Sequence, residues 1–172
     1  MASRRGLNIS GRPWKLAAVS YSEFLRVIGQ DLESRGIKAF DIRNEGEKIF
    51  VQCGYQDPPA STPVTLYYTP SDIKELRLQG EENRGQATEQ RDFFTLSQTL
   101  RAIGGHVDRQ KARLIRLSNN DSPGADAMFR IEYETADGER QVDDRSGSAT
   151  YDLCVNMYKR RAKSARNISP PE

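Results

Sequence analysis

Long apolar runs are missing from this 172-residue chain. Nothing in it approaches the roughly 20 consecutive apolar residues that a membrane-spanning helix needs. The opening Met1-Ala2-Ser3-Arg4-Arg5-Gly6 leads into no apolar stretch of signal-peptide type, so a cytoplasmic protein is expected. Cysteine is scarce: Cys53 and Cys154 stand alone, without a second thiol or histidine at ligand spacing. That excludes a disulfide scaffold and a cysteine-based metal centre, and leaves two small buried hydrophobes as the expectation. Histidine is scarcer still, with His106 alone, expected on the polar flank of a helix and at the surface. A triad built on histidine or a histidine-rich metal site therefore has almost nothing to draw on. Also absent are a Gly-rich phosphate loop and a nucleophile elbow.

Charge is present but unevenly placed. The formal net charge is +2. Residues 1–15 carry Arg4, Arg5, Arg12 and Lys15, and residues 159–172 carry Lys159, Arg160, Arg161, Lys163 and Arg166 against Glu172 alone. The body from 16 to 158 holds 17 basic and 23 acidic residues, a net of −6. Affinity for a polyanion would thus reside in the ends, which makes Arg4, Arg5, Lys159, Arg160, Arg161 and Lys163 the candidate nucleic-acid contacts.

What the chain does have is a repeat. Leu25-Arg26-Val27-Ile28-Gly29 recurs 75 positions later as Leu100-Arg101-Ala102-Ile103-Gly104. Ser22 answers to Ser97, Glu33 to Asp108, Lys38 to Arg113, Phe40 to Ile115, Ile42 to Leu117 and Asn44 to Asn119. Two related halves ordinarily fold as one pseudo-symmetric body.

In each half, apolar residues at helical spacing come first: Tyr21, Phe24, Leu25, Ile28 and Leu32, then Phe93, Leu96, Leu100, Ile103 and Val107. Ser20 or Ser22 is the expected N-cap and Gly36 the stop. Three strands are predicted next, near 37–43, 48–55 and 64–69, and again near 111–117, 127–135 and 139–144. Each half closes with a second helix, capped at Thr69-Pro70-Ser71-Asp72 and at Ser146-Gly147-Ser148. The expected fold class is α+β: an internally duplicated α-β-β-β-α unit, antiparallel strands, helices on one face. The expected segments are a flexible basic arm over 1–14, repeats over 15–85 and 86–166, and a disordered tail over 167–172, with Gly80 to Asp92 as the connection. Ile28, Phe40, Ile42, Val51, Ile103, Ile115, Phe129 and Ile131 are the expected core. Gly29 and Gly104 sit mid-helix, where glycine costs about 0.5–1 kcal/mol against alanine. Either the two first helices cross there, or each glycine packs on its own sheet.

The basic run Lys159-Arg160-Arg161-Ala162-Lys163 is similar to the Lys-Lys-x-Ala-Lys phosphate clamp of double-stranded-RNA-binding domains, whose element order is also α-β-β-β-α. That family places its clamp at the start of the last helix, whereas this run falls about a dozen residues late, so the resemblance does not assign the family. The alternation of Phe129, Ile131 and Tyr133 with Arg130, Glu132 and Glu134 predicts a sheet with one buried and one wet face. On the wet face are expected Asp41, Arg43, Phe50, Gln52, Tyr67, Arg116, Arg130, Glu132, Glu134 and Asp143. Catalytic, metal and cofactor residues are not found: Asp143-Asp144 would point to opposite faces of a strand. The oxygen-rich loop Asn119-Asn120-Asp121-Ser122 lacks calcium-loop spacing. By elimination the expectation is a non-catalytic adaptor or regulator that binds a protein or peptide through Phe50, Tyr67, Arg116 and Arg130. The alternative is a nucleic-acid-binding protein using its basic terminal segments.

Overall fold

Capped amphipathic helices and alternating strands build the protein in the order α1 (Tyr21–Ser34), β1 (Ala39–Asn44), β2 (Ile49–Gly54), β3 (Val64–Tyr68), α2 (Pro70–Glu82), α3 (Leu96–Arg109), β4 (Arg113–Asn119), β5 (Met128–Glu134), β6 (Arg140–Ser146) and α4 (Gly147–Arg166). The structure, a computed structural model, describes residues 20–46, 48–54, 64–82, 94–120 and 127–166. The basic arm with Arg4 and Arg5, the tail after Arg166, and most of the connection between α2 and α3 lie outside the described residues. One antiparallel sheet of six strands runs in the order β3-β2-β1-β4-β5-β6, which with four helices makes the protein α+β.

Local chemistry starts the helices. Ser20 caps α1, its side chain accepting from the Glu23 amide at 3.3 Å. Thr95 and Gln98 form a reciprocal capping box at the head of α3. Both helices stop through a left-handed residue, Gly36 at φ 69° and Lys111 at φ 51°. In each case the turn lets two amides reach back to the last carbonyls: Gly36 to Glu33 and Ile37 to Leu32, Lys111 to Asp108 and Ala112 to Val107.

The apolar faces of α1 and α3 meet over the middle of the sheet. Leu25, Ile28, Leu100 and Ile103 are fully buried there, above Ile42 and Leu117, which are paired across β1 and β4. A Cβ added to Gly29 would lie 2.7 Å from Ser97 Cα, and one on Gly104 would fall on the Tyr21 carbonyl and 2.6 Å from Ser22 N. The two helices therefore cross at their glycines, with backbone against backbone.

Polar bonds tie the crossing together in matched pairs. Ser22 Oγ donates to the Arg101 carbonyl at 3.1 Å and Ser97 Oγ to the Arg26 carbonyl at 2.9 Å. The Ser22 amide donates to Asp108 at 2.9 Å and the Ser97 amide to Glu33 at 3.1 Å. Partners and acceptors in each pair stand 75 positions apart. Where the β1–β4 ladder ends, asparagine side chains continue it: Asn119 bridges Lys38 O and Phe40 N, and Asn44 donates to Leu114 O.

Of the expected core, Ile28, Phe40, Ile42, Val51, Ile103, Phe129 and Ile131 are buried, and Ile115 is not. A register shift between Leu114 and Arg116 puts Leu114 and Leu117 inward and turns Ile115 partly out. An unbroken alternation cannot foresee such a bulge. Cys53 and Cys154 are buried free thiols, as expected. No helix among the described residues is long and apolar enough to cross a membrane.

Candidate partner-binding face

Because side chains alternate along a strand, the positions between the buried ones all emerge on the sheet face opposite the helices. The register aligns them in rows. One row runs Tyr67, Phe50, Arg43, Arg116, Glu132, Val142; the next runs Thr65, Gln52, Asp41, Ser118, Arg130, Asp144. No described helix lies over these rows.

Four of the sequence-predicted contacts meet on this face. The Phe50 and Tyr67 rings pack edge to face with centroids 5.4 Å apart, and Tyr67 is 60% exposed. Beside them, Arg43 and Arg116 stand directly opposite each other, a like-charge pair that would repel without help. Asp41 supplies the help: it accepts from both Arg116 nitrogens at 2.9 and 2.7 Å and from Arg43 at 2.9 Å. Desolvation pushes the Asp41 carboxyl upward, but these guanidinium bonds outweigh it and hold its pKa below the ordinary value. Arg116 in turn holds its proton more tightly, chiefly through its bond to Asp41. Glu132 lies 3.8 Å from Arg116 and 3.9 Å from Arg130, which also reaches Asp144 at 3.7 Å. Arg43, Arg116 and Arg130 are thus each matched by a carboxylate, while the aromatic corner has no charge of its own. Met128 and Val142 add exposed apolar surface at the β5–β6 side.

The basic candidates are elsewhere. Lys159 is exposed near the C-terminal end of α4, in the helical layer, so it is not part of the open face. Arg160, Arg161 and Lys163 continue that helix, with side chains outside the described residues, as are Arg4 and Arg5.

Two expectations need correction. Asp143 is not on the wet face: it pairs with Ile131 and points toward the helices, because β6 runs from Arg140 and its odd-numbered residues face inward. Nor is His106 a surface histidine, since only 12% of its side chain is exposed. Its Nε2 lies 3.4 Å from Asp143 and 3.5 Å from the Arg145 guanidinium, with the Tyr133 ring edge-on at 6.4 Å. Arg145 already holds Asp143 at 2.7 Å. Burial first, then Arg145, lowers the His106 pKa, so the ring is neutral at pH 7. By strand register the corresponding positions in the first half are Asp31 for His106 and Tyr68 for Arg145, and the phenol donates to the carboxylate at 2.5 Å. Each half therefore pins its first helix to its edge strand by one polar bond, with different chemistry. The signal in the sequence was the change of Asp31 to His106 at the common spacing of 75. No hydroxyl or thiol is bonded to His106 among the described residues, so the cluster lacks a nucleophile.

No group of three or more His, Cys, Asp or Glu side chains among the described residues is placed to hold a metal ion. Comparison with known proteins brings no match: no family model, curated protein or solved structure resembles the chain.

Proposed function

We propose that the protein is a non-catalytic adaptor or regulator, built by internal duplication of an α-β-β-β-α unit, that binds a protein or peptide on the open sheet face. The observation that carries this is the pairing of charges on that face. A surface that attracts a polyanion needs cations in excess, and Arg43, Arg116 and Arg130 are each answered by Asp41, Glu132 or Asp144. A protein partner instead needs an apolar anchor inside a polar, self-neutralised rim, and Phe50 with Tyr67 supplies it. The paired bonds at a spacing of 75 support the duplication, and two unpaired buried cysteines fit a reducing, cytoplasmic setting.

A photo-crosslinking residue at position 67, with one at Leu78 as control, tests the proposal in cells. The expected result is a protein adduct specific to position 67, whose purified partner binds at least tenfold more weakly to Tyr67→Ala. Titration of the full chain with mixed DNA and RNA at low and moderate salt is the counter-test. Tight, steeply salt-dependent binding of nucleic acid, with no protein adduct, would overturn the proposal in favour of the basic termini.

A further inference from the structure

At the C-terminal end of α1 a cavity of about 300 Å³ opens beside the first turn of α3, lined by Glu33, Gly36, Ile37, Lys38 and Leu96. That volume is at the lower end of small-ligand sites. Most of the wall is apolar, and Glu33 is committed to the Ser97 amide at 3.1 Å.

The same place in the other half is filled. Each lining residue has a counterpart 75 positions away: Asp108 for Glu33, Lys111 for Gly36, Ala112 for Ile37, Arg113 for Lys38, and Tyr21 for Leu96. Tyr21 packs against the core there, its oxygen hydrogen-bonded to the backbone of Leu114 and flanked by Arg113 and Asp108. Burial pushes its hydroxyl up to about 12, as expected of a partly buried phenol packed against the core. Leu96 begins α3 as Tyr21 begins α1, but an isobutyl group replaces a phenol. Among the described residues, the fold thus forms the walls of a phenol site twice and supplies the ring once.

We propose that the cavity beside Leu96 is a binding site for a phenolic ring, and that its occupant is the tyrosine side chain of a bound peptide. The Tyr21 site shows the fit: a ring between an acidic and a basic side chain, against the helix end and the following strand. A leucine or valine side chain has no hydroxyl to reach the strand backbone as Tyr21 reaches Leu114, and a charged group would be desolvated against Ile37 and Leu96. The cavity draws nothing from the Phe50–Tyr67 pair on the opposite face, so either site can fail while the other holds.

The test is a titration of the full chain, followed by backbone amide shifts, with p-cresol as the ring alone and with two blocked tripeptides, Gly-Tyr-Gly and Gly-Leu-Gly. Saturable shifts at Ile37, Lys38 and Leu96 are expected for p-cresol and for the tyrosine peptide, with dissociation constants of about 1 mM or below. None is expected for the leucine peptide. Leu96→Tyr, which supplies the missing ring, should abolish both and raise the thermal midpoint; Leu96→Phe serves if that variant does not fold. Tyr67→Ala should leave p-cresol binding unchanged. Shifts that fail to saturate by about 10 mM, or binding indifferent to both Leu96 variants, would overturn the site. Binding of p-cresol without the tyrosine peptide would overturn the peptide as its occupant.

Discussion

Adjacent glycines in α3 give opposite expectations for one and the same substitution. Helix propensity alone says that Gly→Ala gains about 0.5–1 kcal/mol wherever the new methyl has room. At Gly105 it has room: the Cβ would meet the Arg109 guanidinium at 3.5 Å and Ser22 Oγ at 3.8 Å, both ordinary contacts. At Gly104 the methyl would fall on the Tyr21 carbonyl and lie 2.6 Å from Ser22 N, and backbone cannot swing aside as a side chain does. Helix α1 must shift, which costs about 1–3 kcal/mol for overpacking. The shift also weakens the bond from Ser22 to Arg101 and those from Tyr21 and Ser22 to Asp108, at about 1 kcal/mol each if lost. After the helix gain, Gly104→Ala should lose about 2–4 kcal/mol and Gly105→Ala should gain about 0.5–1 kcal/mol. At about 2–4 °C per kcal/mol for a chain of this size, the thermal midpoints should separate by about 5–20 °C. Urea denaturation, read by circular dichroism, measures both, with unchanged slopes confirming that only stability moved. A Gly104→Ala protein as stable as Gly105→Ala would refute the close helix crossing.

Lys111 holds a left-handed turn that Gly36 holds in the other half, so Lys111→Gly should stabilise by up to about 1 kcal/mol in the same denaturation assay; a loss would show that its side chain does more than tolerate the strain. Acid should destabilise the protein in two stages. His106 has a lowered pKa in the folded state, so folding is favoured above its ordinary 6.5 and that contribution drains away as pH falls below it. His106→Gln, which keeps a polar group facing Asp143 and Arg145 without titrating, should flatten the stability curve between about pH 7 and 5. Glu23 is also lowered: desolvation raises it, but its bond to buried Arg26 outweighs that and Arg101 and Arg77 add to the attraction. Asp41 behaves alike, so the second stage comes as pH falls through and below about 4.5, and both variants should share it. Identical curves for wild type and His106→Gln above pH 5 would show that the ring is not held neutral by its surroundings.

Much of the fold was legible because it is written in short-range periods. Ser20, Gly36 and Thr69 mark helix ends by hydrogen-bond chemistry confined to a few residues, and the alternation around Phe129, Ile131 and Tyr133 assigns strand faces directly. The open face followed from that alternation, which is why Phe50, Tyr67, Arg116 and Arg130 could be grouped in advance. Ile115 and Asp143 were misplaced for one shared reason: a strand's phase is carried forward residue by residue, and a bulge or a shifted start changes every later side chain.

By itself, then, the chain determined its helix caps, its strand alternation, the spacing of 75 between like positions and the separation of charge between body and ends. The tertiary structure alone decided that β1 and β4 join the strands into one sheet with Ile42 beside Leu117, and that Gly29 and Gly104 carry the helix crossing rather than a packing of each helix on its own strands. It alone turned His106 inward onto Asp143, and left beside Leu96 the space that Tyr21 fills in the other half. Caps and alternation are fixed by neighbours along the chain, whereas these last features depend on which surfaces meet, and that is settled by burial and close packing across the whole body.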